Sequence, residues 1–118
     1  MEYEIQNERE KLKEGFYKGV IEEILYRNSV NKKGQNFKVA TLKIKVDNFN
    51  DFVFVSYSAF VSPNSLFGQL LVRFGADLKQ GMKVNDNILL GRSCQFMVVE
   101  EGQYNNILRE KLKPLPSF

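Results

Sequence analysis

The chain has 118 residues, a length that suits one domain with a single hydrophobic core and excludes a second domain of ordinary size. Its 17 Lys and Arg against 14 Asp and Glu give a formal net charge of +3, and ten Phe with five Tyr make it rich in aromatic side chains. The absence of histidine and the single Cys94 exclude an internal disulfide and the commonest acid–base and zinc-binding groups, so we expect no enzyme, no metal and no cofactor.

The first fourteen residues form a charged lead-in, expected as a loose helix or a disordered segment. They hold three bases against five acids, a net charge of −2, and the remaining residues hold 14 bases against 9 acids, a net charge of +5. Met1 is followed by Glu2 and Glu4 rather than by a basic and apolar leader, and no run approaches the roughly 18 apolar residues of a membrane span. We expect a cytoplasmic protein with no membrane contact and with a basic body suited to a polyanion.

Residues 16–27 (FYKGVIEEILYR) predict a long first strand that bends at Gly19, although IEEIL also fits a helix. A polar loop follows at 28–34. Residues 36–46 alternate cleanly, which predicts a half-buried second strand with Lys43 and Lys45 on its outer face. The inward residues of that strand are Ala40, Leu42, Ile44 and Val46.

A third strand is predicted over 51–59, paired to the second as a hairpin. Phe52 and Phe54 alternate with Val53 and Val55, so both faces are apolar and the pattern does not decide which one is buried. Ser62 as N-cap and Pro63 as first residue then predict an amphipathic helix that ends at Gly75, with its apolar stripe plugging one end of a barrel.

Residues 90–100 predict a fourth strand whose inward residues are Cys94, Phe96 and Val98, and residues 104–112 predict a fifth strand with Ile107 towards the core. Pro114 is expected to end the ladder, which leaves 114–118 as a short tail. Three strands, a helix and a final hairpin within residues 15–113 are the layout of the OB-fold, a five-stranded Greek-key β-barrel of the all-β class with one helix between strands three and four.

Two segments strengthen this assignment: residues 90–99 (LGRSCQFMVV), continued by Gly102 and residues 104–107 (YNNI), and the opening at 15–21 (GFYKGVI). Both resemble small OB-fold proteins of bacteriophages and mobile elements. The resemblance implies single-stranded DNA binding in replication or recombination, with replication or recombination proteins as further partners. The C-terminal residues 114–118 (PLPSF) lack the acidic residues of the bacterial single-strand binders' recruiting tail, so we do not expect recruitment by that route.

A protein that binds single-stranded DNA needs basic side chains along the path of the phosphates and aromatic rings on which nucleobases stack. The candidates lie on strands two and three, in the loop between strands one and two, and at two isolated arginines: Lys32, Lys33, Phe37, Lys43, Lys45, Phe52, Phe54, Arg92 and Arg109, with Tyr57 if strand three has the opposite parity. Lys43 and Lys45 also fit an ordinary solvated strand face, and Phe52 and Phe54 also fit the core. The sequence does not distinguish DNA from RNA.

The alternative from another class is a barrel that binds a protein, either a partner or a second copy of this chain. A homo-oligomer is expected under either hypothesis. The two hypotheses differ in their response to salt, because nucleic-acid binding weakens steeply as salt rises and an apolar protein interface does not.

Overall fold

The computed structural model describes residues 12–49, 52–78, 85–101 and 104–115. Just over half of the described residues are in strands, and they include one α-helix. The elements in chain order are β1 (Gly15–Val30), β2 (Asn36–Val46), β3 (Phe52–Ser58), α1 (Leu66–Arg73), β4 (Ser93–Glu101), β5 (Tyr104–Ile107) and β6 (Lys113–Pro114). Short 3₁₀ turns lie at Asp86–Ile88 and Arg109–Lys111. Most of the predicted lead-in lies outside the described residues, but Leu12 belongs to the core rather than to a detached segment.

The first strand is long and serves both halves of the sheet, as predicted. Residues 15–20 of β1 pair with β4, and residues 19–30 pair with β2, with a register shift within this second ladder between Ile21 and Glu23. Gly19 belongs to both ladders, and a Cβ built there would lie 2.5 Å from the carbonyl oxygen of Lys45. Only glycine fits this close approach. Residues 21–25 (IEEIL) lie within β1 and pair with β2, so the helical interpretation is wrong.

All strand pairs among the described residues are antiparallel, and the sheet follows the order β3-β2-β1-β4-β5. The short β6 pairs with the start of β4, on the same edge of β4 as β5 and opposite β1. Within the described residues no ladder joins β3 to β5, so the expected closed barrel is not observed. The predicted inward residues of β2 and β4 are all buried, and Ile107 of β5 packs against them.

The helix begins three residues later than predicted. Ser65, not Ser62, is the N-cap, and its Oγ accepts from the amide of Gly68 at 2.9 Å. The Ser62 Oγ instead accepts from the amides of Asn64 and Ser65, which makes residues 62–65 a turn. The apolar stripe Phe67, Leu70, Leu71 and Phe74 is buried as expected, and Gly75 ends the helix with a positive φ of 103°.

The C-terminal part departs from the prediction. Residues 90–92 form a turn before β4, and β5 ends at Ile107 instead of continuing to Leu112. Pro114 does not end the ladder, because Lys113 and Pro114 pair with Gln95 and Cys94 and the amide of Leu115 donates to the carbonyl of Ser93 at 3.1 Å. No helix among the described residues is long and apolar enough to span a membrane.

Candidate nucleic-acid interface

The outer faces of β2 and β3 carry the basic and aromatic side chains. Because Ala40, Leu42, Ile44 and Val46 fill the core, the two-residue period of a strand turns Lys43 and Lys45 to the other side. On β3 the core takes Val55 and Tyr57, with Val53 packed against it, so Phe52 and Phe54 share the face of the two lysines. We call the outer residues of β2 and β3, Lys43, Lys45, Phe52 and Phe54, the basic face.

The structure thereby decides the parity of β3. Tyr57 is 2% exposed, its ring packs edge-on against Phe67 with centroids 5.9 Å apart, and its hydroxyl donates to the carbonyl of Arg109 at 3.2 Å. Burial raises the pKa of this hydroxyl far above its usual range. Tyr57 is therefore a core residue, and the alternative parity that would place it at the surface for stacking is wrong.

Register brings three side chains into one row across the sheet. Phe54 lies opposite Lys43 on β2, and Lys43 lies opposite Glu23 on β1. Phe54 is 51% exposed, which leaves about half of its surface to solvent. The row thus combines an aromatic surface, a cation and, at its far end, a carboxylate that opposes the positive potential.

The two lysines of the basic face differ in their surroundings. The Lys43 ammonium lies over the ring of Phe52, 4.2 Å from the centroid. The Lys45 ammonium lies 5.9 Å from the same ring and donates to the carbonyls of Phe49 and Val46 in the turn that leads to β3. The Lys43 ammonium is thus held over a ring on the outer face, whereas Lys45 also holds the turn together.

Beyond the last pair between β2 and β3, Val39 with Ser58, the β1–β2 hairpin continues as a two-stranded projection. We call residues 26–38 the arm. Its tip is an ordered turn in which the Asn31 side-chain oxygen accepts from the amides of Lys33 and Gln35, both at 2.9 Å. Lys32 and Lys33 are exposed in this turn, and Phe37, 37% exposed, lies on the arm opposite Ser29.

The two candidate arginines lie in different places. Arg109 borders the basic face, because its Nε donates to the carbonyl of Ser56 at 2.5 Å and both residues line a cleft of about 350 Å³ together with Phe54. Arg92 lies beside α1, with its guanidinium carbon 5.5 Å from the Phe74 ring centroid and an Nη 3.5 Å from the Phe74 carbonyl. The structure does not bring Arg92 to the basic face.

No protein-family model matches the chain, and no curated protein matches its sequence.

The sequence analysis missed two basic residues of the arm, Arg27 and Lys38, both of which are exposed. A count of acidic and basic residues in successive segments of the sequence would have found them. Between Ile24 and Val46 the sequence contains no Asp or Glu, and its six bases are Arg27, Lys32, Lys33, Lys38, Lys43 and Lys45. Folding as a hairpin concentrates this charge on one ribbon. Among the described residues, no three His, Cys, Asp or Glu side chains form a group that could hold a metal ion.

Proposed function

We propose that this protein binds single-stranded DNA along the basic face and the arm. The observation that carries the proposal is the acid-free hairpin of residues 24–46. It holds six basic residues and the exposed ring of Phe37, and its Lys43 pairs with the exposed Phe54 of β3. Lysines and arginines along a ribbon neutralise successive phosphates, and exposed rings provide stacking surfaces for unpaired bases. A duplex keeps its bases stacked inside, so the rings favour the single strand.

We further propose that the fold is an OB-fold with an open seam. The strand order and the helix between β3 and β4 support this assignment. The contacts from Arg109 to the Ser56 carbonyl and from Tyr57 to the Arg109 carbonyl cross the seam where β3 and β5 would meet. OB-folds are partly open barrels that bind oligonucleotides on strands two and three and on the loop between strands one and two, and the basic face and the arm occupy these positions.

The biological setting that we propose follows from the resemblance of residues 15–21 and 90–107 to small OB-fold proteins of bacteriophages and mobile elements. In that setting the protein acts in the cytoplasm on single strands exposed during replication or recombination. A basic groove with stacking rings suits this role, because it tolerates any base sequence.

The test is fluorescence anisotropy with a labelled oligo-dT of about 15 nucleotides, a length within the range of OB-fold sites, against a matched duplex and a matched RNA. We expect the single strand to bind more tightly than the duplex and its affinity to fall as salt rises, by a logarithmic slope of about −0.7 for each phosphate contacted. Lys43→Glu combined with Lys45→Glu should weaken binding strongly. No binding to oligo-dT in dilute buffer would refute the proposal.

The same experiment distinguishes DNA binding from the alternative function, which is the docking of a protein. The observation that favours this alternative is the outer edge of β3, which within the described residues is not paired with another strand and could accept a strand from a partner or a second copy. An interface of that kind would persist at high salt. A concentration-dependent dimer in sedimentation velocity at high salt, with no affinity for oligo-dT, would favour docking over DNA binding.

A further inference from the structure

The arm has a second side, away from the basic face, where it borders a groove against the body of the protein. The groove measures about 440 Å³, within the range of small-ligand sites. Tyr26 and Lys38 of the arm form one wall, Asn85 and Asp86 form another, and Phe67 and Leu71 of α1 line the apolar floor.

The polar wall is fixed in position. The Tyr26 hydroxyl donates to the Asp86 carboxylate across sixty residues of sequence, and Asp86 begins a 3₁₀ turn whose N-cap, Asn85, accepts from the amide of Asn87 at 2.9 Å. The burial of Tyr26 and the adjoining carboxylate raise the pKa of the hydroxyl far above its usual range, so it remains a donor. A carboxylate accepts up to about four hydrogen bonds, so one phenol leaves it able to accept more.

The groove is adjacent to the path that we propose for the DNA. Phe37 and Lys38 are neighbours on β2 that point to opposite sides of the arm. The β3 chain leaves β2 at this point, since the Ala59 amide donates to the Lys38 carbonyl at 2.8 Å and the paired residues of β3 end at Ser58. A strand that follows the basic face to Phe37 can therefore pass over the edge of the arm, with Lys38 placed to bind its phosphate.

We propose that the groove holds one unstacked guanine of the bound strand. This inference rests on the proposed function and adds a base preference to it. Guanine presents two adjacent N–H donors, N1 and N2, which match the two oxygens of the Asp86 carboxylate, while its flat ring covers the floor formed by Phe67 and Leu71. Adenine and cytosine present an amino group beside an acceptor nitrogen, and thymine presents one N–H between two carbonyl oxygens that a carboxylate repels.

The test compares oligo-dT with the same oligonucleotide carrying one central guanine, or one inosine, in anisotropy titrations at a single salt concentration. A bidentate contact between a side chain and a base gives about tenfold discrimination, so we expect the guanine to tighten binding by about that factor. Inosine lacks the N2 amino group and should recover only part of the gain. Asp86→Asn should remove the gain, and the affinity of this variant for plain oligo-dT reports that it is folded.

Glu100→Gln is the matched control, because it removes the same charge from an exposed position on β4 outside the groove. This variant should keep the guanine gain of the unmodified protein. If oligo-dT binds but guanine adds nothing, or if the gain survives Asp86→Asn, the guanine site is refuted and the proposed function stands. Failure of every oligonucleotide to bind refutes both.

Discussion

The ammonium of Lys43 lies 4.2 Å from the centroid of the Phe52 ring, on the side of the sheet away from the core. A cation over an aromatic face is stabilised by the ring quadrupole, by about 0.5–1 kcal/mol at exposed sites. The contact holds the charge above the strand instead of letting it extend into solvent. It fixes a cation on the basic face, across from the exposed ring of Phe54, in the region where we propose that the phosphates pass.

Lys43 and Lys45 should therefore behave differently when each is replaced by Gln. Lys43→Gln should weaken binding to oligo-dT and reduce the magnitude of the logarithmic salt slope by about 0.7, the contribution of one phosphate contact on a single strand. Lys45→Gln should change binding less but lower the free energy of unfolding by about 1 kcal/mol, because it removes the hydrogen bonds to Phe49 and Val46. Anisotropy over a salt series and urea unfolding measure the two effects. Equal effects on the salt slope would contradict the distinction.

The exposed rings provide the second prediction. Phe54→Ala and Phe37→Ala should each cost about 1–3 kcal/mol of binding free energy if a base stacks on the ring. Their stability should fall less than that of a core Phe→Ala variant, because Phe54 is 51% and Phe37 is 37% exposed. Phe16→Ala is the matched control, since Phe16 is 73% exposed but lies on the half of β1 that pairs with β4. A similar loss of affinity in the Phe16 variant would mean that stacking is not specific to the basic face.

The third prediction concerns Glu23, whose carboxylate lies across from Lys43 and opposes the positive potential of the basic face. Glu23→Gln should raise the affinity for oligo-dT a few-fold, since one charge at contact distance is worth about 1 kcal/mol in water. The gain should shrink as salt screens the charge. Glu100→Gln removes the same charge from a position outside the row. Equal gains in the two variants would show that only the net charge matters.

Alternation was sufficient to predict β2 because its two faces differ chemically. A core cannot accept unpaired lysines, so Lys43 and Lys45 require that Ala40, Leu42 and Ile44 face inward. The same rule does not decide the orientation of β3. Phe and Val alternate there, so both faces are apolar and either one can be buried. The register with β2 decides the matter, and register is a tertiary property that a single strand does not encode.

The errors at the helix and at β5 have a similar origin. Ser62 followed by Pro63 satisfies the sequence rule for a helix start, but Gly68 packs so closely on the Ser62 carbonyl that a Cβ would lie 1.9 Å from its oxygen. The Ser62 carbonyl instead accepts from the amide and the Oγ of Ser65, at 3.2 and 3.0 Å, which holds residues 62–65 in a turn, and Ser65 caps the helix. Beyond β5, the Arg73 guanidinium donates to the carbonyls of Leu112 and Arg109 at 2.8 and 2.9 Å. These contacts hold a 3₁₀ turn where the sequence pattern predicts more strand.

The Cys94 side chain belongs to the hydrophobic core and is 0% exposed. Burial, with a smaller contribution from the Asp47 carboxylate, raises the pKa of the Cys94 thiol from about 9 to about 12. The unfolded chain therefore loses this proton at a lower pH than the folded protein. The associated stability is complete below pH 9 and is lost as the pH rises towards 12, with a slope of at most about 1.4 kcal/mol per pH unit.

Urea unfolding at several pH values between about 7.5 and 9 measures this slope, below the range around pH 10 in which the unfolded tyrosines ionise. Cys94→Ala should be less stable at pH 8, because it loses packing in the core, but its stability should fall less steeply as the pH rises. The native thiol should also react with a thiol reagent much more slowly than the thiol of the urea-unfolded chain. Parallel pH profiles for the two proteins would show that Cys94 is not the group whose proton is linked to folding.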